Sequence, residues 1–583
     1  MVSTLRDAFL AIVLSAVIVH LIFRRYEPTH TISLLALLLV YPTFLSVLLW
    51  SWLPVASTFA TFYITLSLSI FTYRLSPLHP LSQYPGPVLC KLSKLCLYVN
   101  SRNGKQHLYI QSLHQKYGDI VRIGPNELSI SDPNAILPVL GTYGVPRSSV
   151  WAARSLFPPV DSLLAIRDPG YHHQRRRPWS RALNTLALKD YEHPIRARVT
   201  QLANSILGSC QQSTITDLSD WMCLFTYDVM SDVVFGGGSE MMKEGDNDGF
   251  RKVLDTGMRS VMIFEQMPWL AQISKNLSLP VVGEGIARLR RVGAERASSR
   301  ARSGSTRKDL YFYLSHDDKP EIPAASTCLL IAEGALATIA GSDTTSSVLS
   351  NIFYFLMRNP LMYKRLQEEV DKFYPSGSDP ADGVHYKEMV YLDAVINETL
   401  RLYPPLLSGS SREIPFGSGG RLIGNHYIPE GTHIRIHTYT LHRDPRNFSP
   451  YPEHFWPDRW LQTPSSSQLS TEDRHDHDDI QLSENINHNT EAFIPFSFGP
   501  SNCVGKNLAW MEMRMVVCTL VQKMRFEFGS SSISRTTATP FTHGGLPGEG
   551  QWEVEEWENS IRDEGTLQRG YLPVIVSRRS TSM

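Results

Sequence analysis

Apolar residues crowd the start of the chain. Residues 8–23 form one run closed by Arg24 and Arg25, residues 32–56 a second, and residues 58–73 a third closed by Arg74. The first is short for a helix that must cross ~30 Å of hydrocarbon, and by itself it reads as a signal sequence. No small-residue cleavage site follows it and two further runs do, so the pattern predicts a membrane anchor of three spans over residues 1–75. Basic borders stay on the cytoplasmic side, which puts Arg24, Arg25 and Arg74 in the cytosol and turns the second and third runs into a hairpin near Pro54. A single span with an interfacial hairpin satisfies the same charges. Pro77, Pro80, Pro85 and Pro87 then stop any helix, and residues 76–87 read as an extended, proline-rich hinge.

Over residues 88–583 helical periodicity dominates, at 217–235, at 391–402 and in a long apolar stretch from 328 that continues past 339. Alternation at 120–123 and 128–131 around Gly124-Pro125-Asn126 predicts a β-hairpin, and short strands follow near 421–428 and 432–436. The expected fold class is therefore mainly α with small β-sheets, an α+β body behind membrane helices. Residues 462–490 are polar and poor in aromatics, as a solvated insertion would be; His475 and His477 lie in its charged centre and read as soluble loop rather than metal ligands.

Composition removes options more than it adds them. The 583 residues leave domain count open, and 42% hydrophobic content fills a sizeable core. Lys+Arg and Asp+Glu are equal at 56 each, which gives no basic field for nucleic acid. Seven scattered cysteines in so large a chain read as reduced thiols, and Cys90 with Cys96 lacks the second ligand pair a zinc site needs.

Candidate chemistry gathers at four places. Cys503 sits between Gly499 and Gly505 at a loop-to-helix junction, where free backbone N–H groups favour a thiolate, a soft metal ligand, and the glycines let backbone pass close to a flat ligand. The bland alternative is a buried structural cysteine in a glycine-rich turn. Glu398 and Arg401 share one face of an apolar helix, so their charges are expected to be buried and paired. Ala340-Gly341-Ser342-Asp343-Thr344 continues the long helix, where glycine and a back-bonding threonine loosen the ladder and open a groove for water and dioxygen. A helix start at Asp343 is the competing reading, and apolar sequence on both sides argues against it. Residues 171–179 form a cationic cluster that reads equally as a basic surface for a partner or lipid headgroups; the family resemblance described next implies two possible registers in it, Tyr171 with Arg175 or His172 with Arg176.

Together these segments resemble the cytochrome P450 family. Its cysteine loop, Phe-x-x-Gly-x-Arg-x-Cys-x-Gly, is matched at Phe496, Gly499, Cys503 and Gly505, while Ser501 stands at the arginine position. Pro457-Asp458-Arg459-Trp460 resembles the family's Pro-Glu-Arg-Phe segment, whose arginine completes the Glu398–Arg401 pair as a structural triad. The resemblance implies haem b ligated by Cys503 between the long central helix and the helix after the cysteine loop. It assigns Asp343 and Thr344 to proton delivery, Ala340 and Gly341 to the face over the cofactor, and Arg175, Arg176 and Arg412 to the propionates, where they would offset the loss at Ser501. It further implies electrons from NADPH through NADPH-cytochrome P450 reductase, one oxygen atom inserted into a lipophilic small molecule, a terpenoid or other secondary metabolite, and residence in the endoplasmic reticulum membrane, in contact with its lipids, with the catalytic domain in the cytosol. The alternatives are a haem-thiolate isomerase or dehydratase that needs no dioxygen, against which the intact Asp343-Thr344 pair counts, and a non-catalytic haem-binding membrane protein.

Overall fold

The computed structural model describes residues 5–26, 31–154, 160–212, 215–246, 250–267, 280–304, 307–461, 486–529 and 551–579. The three apolar runs fold as helices: Leu5–Tyr26, then Thr31–Leu35 continued through a π-turn at Ala36–Val40 into Tyr41–Leu48, then Val55–Leu75. The first and last are long and apolar enough to cross a membrane, and Ile32–Leu48 is shorter. The second run ends as a helix eight residues before its hydrophobicity does, because Pro54 takes an extended conformation and starts the next helix. Ala8, Ile12, Ala16 and Val19 lie on one face of the first helix and pack against Phe62 and Leu66 of the last.

Residues 76–84 differ from expectation. They form consecutive tight turns rather than an extended strut, with Ser76, His79 and Leu81 carbonyls accepting from His79, Ser82 and Tyr84. Proline forbids helix without dictating extension, and a buried partner decides between the two. Leu81 and Tyr84 pack beneath a four-stranded sheet, and the Arg122 N–H donates to Pro85 O at 2.7 Å. Gly86 is needed there, since a Cβ would stand 2.2 Å from Arg122 O.

That sheet contains the expected hairpin, Ile120–Gly124 antiparallel to Glu127–Ile130, followed by His433–Ile436 in parallel and Ser411–Glu413 antiparallel on its far side. Arg421–Ile423 and His426–Ile428 make a separate hairpin. A three-stranded sheet near the C-terminus places Pro573–Arg578 between Met524–Phe528 and Thr216–Asp217. The polar stretch at 462–490 falls outside the described residues except for its end, where Asn487–His488 pairs with Phe448–Ser449.

The long apolar stretch is one helix, Thr327–Arg358, 32 residues and thus about 48 Å. Ser326 caps it by accepting from the Leu329 N–H. Leu218–Phe235 crosses it most closely, through two glycines seven residues apart: a Cβ on Gly334 would stand 2.4 Å from the Phe235 ring, and one on Gly341 2.4 Å from Met230 Sδ. Gly341 is therefore occupied by the helix crossing. The groove expected there is filled by Met230, and the open face of the helix lies at Ala340 and Thr344.

Candidate active site

The cysteine loop is shaped by two left-handed residues, Ser497 and Gly499, the latter passing so near Leu140 O that a Cβ would stand 2.0 Å from it. Its turn closes with the Cys503 N–H donating to Phe496 O at 2.9 Å, and Lys506–Lys523 follows as a helix. Phe496 packs on the main core with the Lys506 ammonium 5.7 Å above its ring. Cys503 is surrounded by protein atoms, yet its own surface is open. Burial pushes its thiol up, opposed by the Gly505 N–H and by the positive charges of Arg176 and Lys506.

Glu398 and Arg401 on Val390–Leu402, together with Arg459, are all fully buried. Arg401 donates to both Glu398 oxygens at 2.9 and 2.8 Å, and Arg459 adds a third bond at 3.0 Å. Trp460 Nε1 and the Trp456 N–H complete the carboxylate's partners, each at 2.9 Å. Burial would raise the Glu398 carboxyl, but the two guanidiniums and these bonds hold it below its ordinary value. Arg401 also gathers the carbonyls of His442, Pro452 and His454, and His442 Nε2 accepts from the Ile494 N–H at 3.0 Å, two residues before Phe496. The triad thus ties the 442–460 segment to the base of the cysteine loop. Removing one member of such a buried pair costs about 3–5 kcal/mol, because the partner charge stays buried alone.

Midway along the central helix, Thr344 donates to Ala340 O at 2.7 Å, the back-bond read from the sequence. Asp343, its neighbour, turns elsewhere: its carboxylate accepts from Thr566 and from Gln568 Nε2 at 2.9 Å and lies 3.5 Å from Arg569.

The cationic cluster sorts itself between its two registers. Arg175 pairs with buried Glu333 of the central helix and donates to Tyr171 at 2.9 Å, which commits it away from the cysteine loop. Arg176 donates to Asn502 O at 2.6 Å and to Asn502 Oδ1 at 2.7 Å, directly beside Cys503. Its i−4 neighbour His172 is buried with Nε2 lacking any hydrogen-bond partner among the described residues. Burial, aided by Arg147, Arg176 and Arg412, lowers His172 to about 3. Arg412 is itself buried, drawn down to about 10 by that burial, and its Nε is likewise without a partner.

Comparison with known proteins agrees with this geometry. The cytochrome P450 family model matches residues 80–549. The chain belongs to the cytochrome P450 family. Similar P450s include cytochrome P450 monooxygenase FCK2 of Fusarium pseudograminearum, 32% identical over 91% of this chain and 88% of that protein. Cytochrome P450 67 of Uromyces fabae is 32% identical over 89% and 93%, and cytochrome P450 monooxygenase nodW of Hypoxylon pulicicidum 33% identical over 79% of each. The chain is accordingly a monooxygenase, an oxidoreductase whose family membership implies haem.

The residues present suit that group. The Cys503 sulfur is open, Arg176 bonds the neighbouring Asn502, and the buried side chains of His172 and Arg412 each keep one nitrogen without a hydrogen-bond partner among the described residues, which is chemistry that suits a pair of propionates. His172 lies buried one helical turn before Arg176, although the sequence marked it only as one end of a possible register. Thr566, Gln568 and Arg569 were not legible at all, because nothing in residues 560–570 carries a motif and only the fold brings them to Asp343.

Proposed function

We propose that this P450 is a membrane-anchored haem-thiolate monooxygenase of lipophilic small molecules, terpenoids or other secondary metabolites, working with NADPH-cytochrome P450 reductase on the cytosolic face of the endoplasmic reticulum. The observation that carries the reading is the open, deeply placed sulfur of Cys503, with the Ala340–Thr344 face as the open side of the central helix. Two helices of spanning length support the anchor, with Arg24 and Arg25 ending one and Arg74 the other.

When bound, haem supplies the redox chemistry that activates dioxygen. The chain does the rest. Cys503 would hold the haem iron as a thiolate, and the Gly505 N–H with Arg176 and Lys506 favours its charged form. His172, Arg176 and Arg412 hold the propionates in place of the arginine absent at Ser501. The Glu398–Arg401–Arg459 triad fixes the loop that carries the sulfur. Once its hydroxyl swings from Ala340 O to the open face, Thr344 would give up its own proton there as it takes one from Asp343, staying neutral throughout, a role typically worth about 10²–10⁴ in rate.

The carbon-monoxide complex of the reduced protein tests the ligand. The full-length wild type is expected to show the strongly red-shifted Soret band of thiolate-ligated haem, and Cys503→Ala to lose it. Retention of the band in Cys503→Ala would rule the assignment out. NADPH consumption on adding the reductase then separates a monooxygenase from an isomerase.

A further inference from the structure

The body begins with two short helices, Val88–Leu92 and Lys94–Ser101, separated by Ser93 alone. Ser93 is extended, and its hydroxyl caps the second helix by accepting from the Leu95 N–H at 3.2 Å. So sharp a corner brings the third residue of each helix together. Cys90 Sγ and Cys96 Sγ are 3.2 Å apart, little more than 1 Å beyond the ~2.0 Å of a disulfide bond. Both are free thiols, yet they are placed differently. Cys90 is fully buried, 3.5 Å from the Tyr109 hydroxyl, and burial pushes its thiol up to about 12. Cys96 is only half-buried, and the Asn100 amide donates to its sulfur at 3.6 Å. One sulfur is therefore reachable from outside and the other only through the first. The same corner carries the joint between the last apolar helix and the four-stranded sheet: Leu92 O accepts from the Arg74 guanidinium, and the Lys94 ammonium holds buried Glu127 at 2.6 Å.

We propose that Cys90 and Cys96 are a modification site, a reversible disulfide in which Cys96 meets a hydroperoxide first and Cys90 resolves the product. The Cys96 sulfur breaks the peroxide O–O bond and keeps one oxygen as a sulfenic acid, releasing an alcohol, or water when the oxidant is hydrogen peroxide. The Cys90 sulfur then attacks that of Cys96; the S–O bond breaks, hydroxide leaves with the Cys90 proton as water, and an S–S bond remains. In sum, two thiols and one hydroperoxide give one disulfide, one alcohol and one water, with two electrons passing from the sulfurs to the peroxide. A dithiol reductant returns two electrons and two protons and restores both thiols. Burial keeps Cys90 inert towards an outside oxidant, while contact with its partner makes the second step intramolecular and offsets a small thiolate fraction. In a reducing compartment the pair rests as thiols, and the disulfide appears on exposure to oxidant. Once formed, the bond closes residues 90–96 into a ring across Ser93, so the corner that joins Arg74 to Leu92 opens less readily.

The test uses full-length holoenzyme, reduced with dithiothreitol, freed of it, and exposed to hydrogen peroxide at a dose that leaves its Soret band unchanged. Remaining thiols are capped with N-ethylmaleimide before tryptic digestion without reductant. Trypsin cuts after Arg74, Lys91, Lys94 and Arg102, so Cys90 leaves on residues 75–91 and Cys96 on residues 95–102, and only a disulfide keeps the two peptides together. The joined pair is expected in oxidised wild type while exposed Cys328 is still capped by maleimide, and it should disappear on adding dithiothreitol. Cys96→Ser should yield no joined pair, and Cys90→Ser should leave Cys96 as a sulfenic acid that dimedone traps. Hydrogen exchange over residues 88–101 should slow when wild type is oxidised and stay unchanged in Cys96→Ser. If Cys90→Ser folds poorly, wild type and Cys96→Ser carry the comparison. Peroxide that oxidises Cys328, or takes Cys96 to a sulfinic acid, without joining the peptides would overturn the proposal, as would a joined pair that forms only in urea. A joined pair with unchanged hydrogen exchange would overturn the effect on the corner.

Discussion

At Ser501 the P450 cysteine loop lacks an arginine, and the proposal above has the missing charge supplied by Arg412 on a strand and Arg176 on a helix. The two differ in what holds them. Arg176 already bonds Asn502, whereas among the described residues Arg412 Nη1 has a single 3.3 Å bond to Val145 O and its Nε has no partner. Arg412 therefore has more to gain from an anionic ligand. A hydrogen bond to a charged group contributes about 1.5–3 kcal/mol, so Arg412→Ala is expected to lose haem about 10–100-fold faster, read as transfer to excess apomyoglobin. Adding Ser501→Arg to that variant should slow the loss again. Unaltered haem transfer in Arg412→Ala would place the propionates elsewhere. Sequence alone carried Cys503 and Glu398 because their motifs are local. It carried His172 only half-way, since an i, i+4 pair has two registers and burial chooses between them. Arg569 lay beyond reach, because its partner is 226 positions away.

Among elements, the crossing of Leu218–Phe235 over the central helix makes a graded prediction. Alanine in place of a helical glycine gains about 1 kcal/mol in propensity, and forcing a methyl into a packed contact costs about 1–3 kcal/mol. At Gly334 the obstacle is the Phe235 ring, which is rigid, so Gly334→Ala should lower the urea midpoint clearly. At Gly341 it is Met230, a side chain that yields, so Gly341→Ala should be close to neutral and improve further with Met230→Ala. Equal destabilisation by the two substitutions would mean the crossing is not set by these contacts. The helices and the 120–130 hairpin were readable because 3.6- and 2-residue periods survive in their sequences. The turns at 76–84 were not: the same prolines suit an extended strut or a chain of turns, and only the sheet above Leu81 and Tyr84 selects the latter.

For the molecule as a whole, buried titratable groups predict a stability optimum. Burial lowers His107 and His442 to about 3 and His79 to about 4, and lowers His433 as well, against an ordinary value of 6.5. Their neutral forms fit the fold. This stability is whole above pH 6.5 and is lost as pH falls towards the folded values, because the unfolded chain takes up protons the native state refuses. Two carboxyls act oppositely: burial raises Asp563 from 3.8 to about 6 and Glu512 from 4.5 to about 8, so their contribution is whole at acid pH and is lost as pH rises through those values. Between the two sets, urea midpoints should peak near pH 6.5, fall on the acid side, and decline more gently towards pH 8. Glu512→Gln should remove most of the alkaline decline and leave the acid limb in place. An alkaline limb unchanged in Glu512→Gln would mean that residue is not the source.

The hairpin against Asp343 also bears on the order in which the protein is built. Residues 562–578 form that hairpin and then the central strand of the C-terminal sheet, so they reach the middle of the molecule after every other part of the site has been synthesised. The wall beside Asp343 therefore stays missing until residues 562–569 have been made, however early the helices around it have folded. A ribosome-bound chain halted before residue 562 would possess its cysteine loop, its triad and its cationic cluster, and still lack the three donors that hold the Asp343 carboxylate.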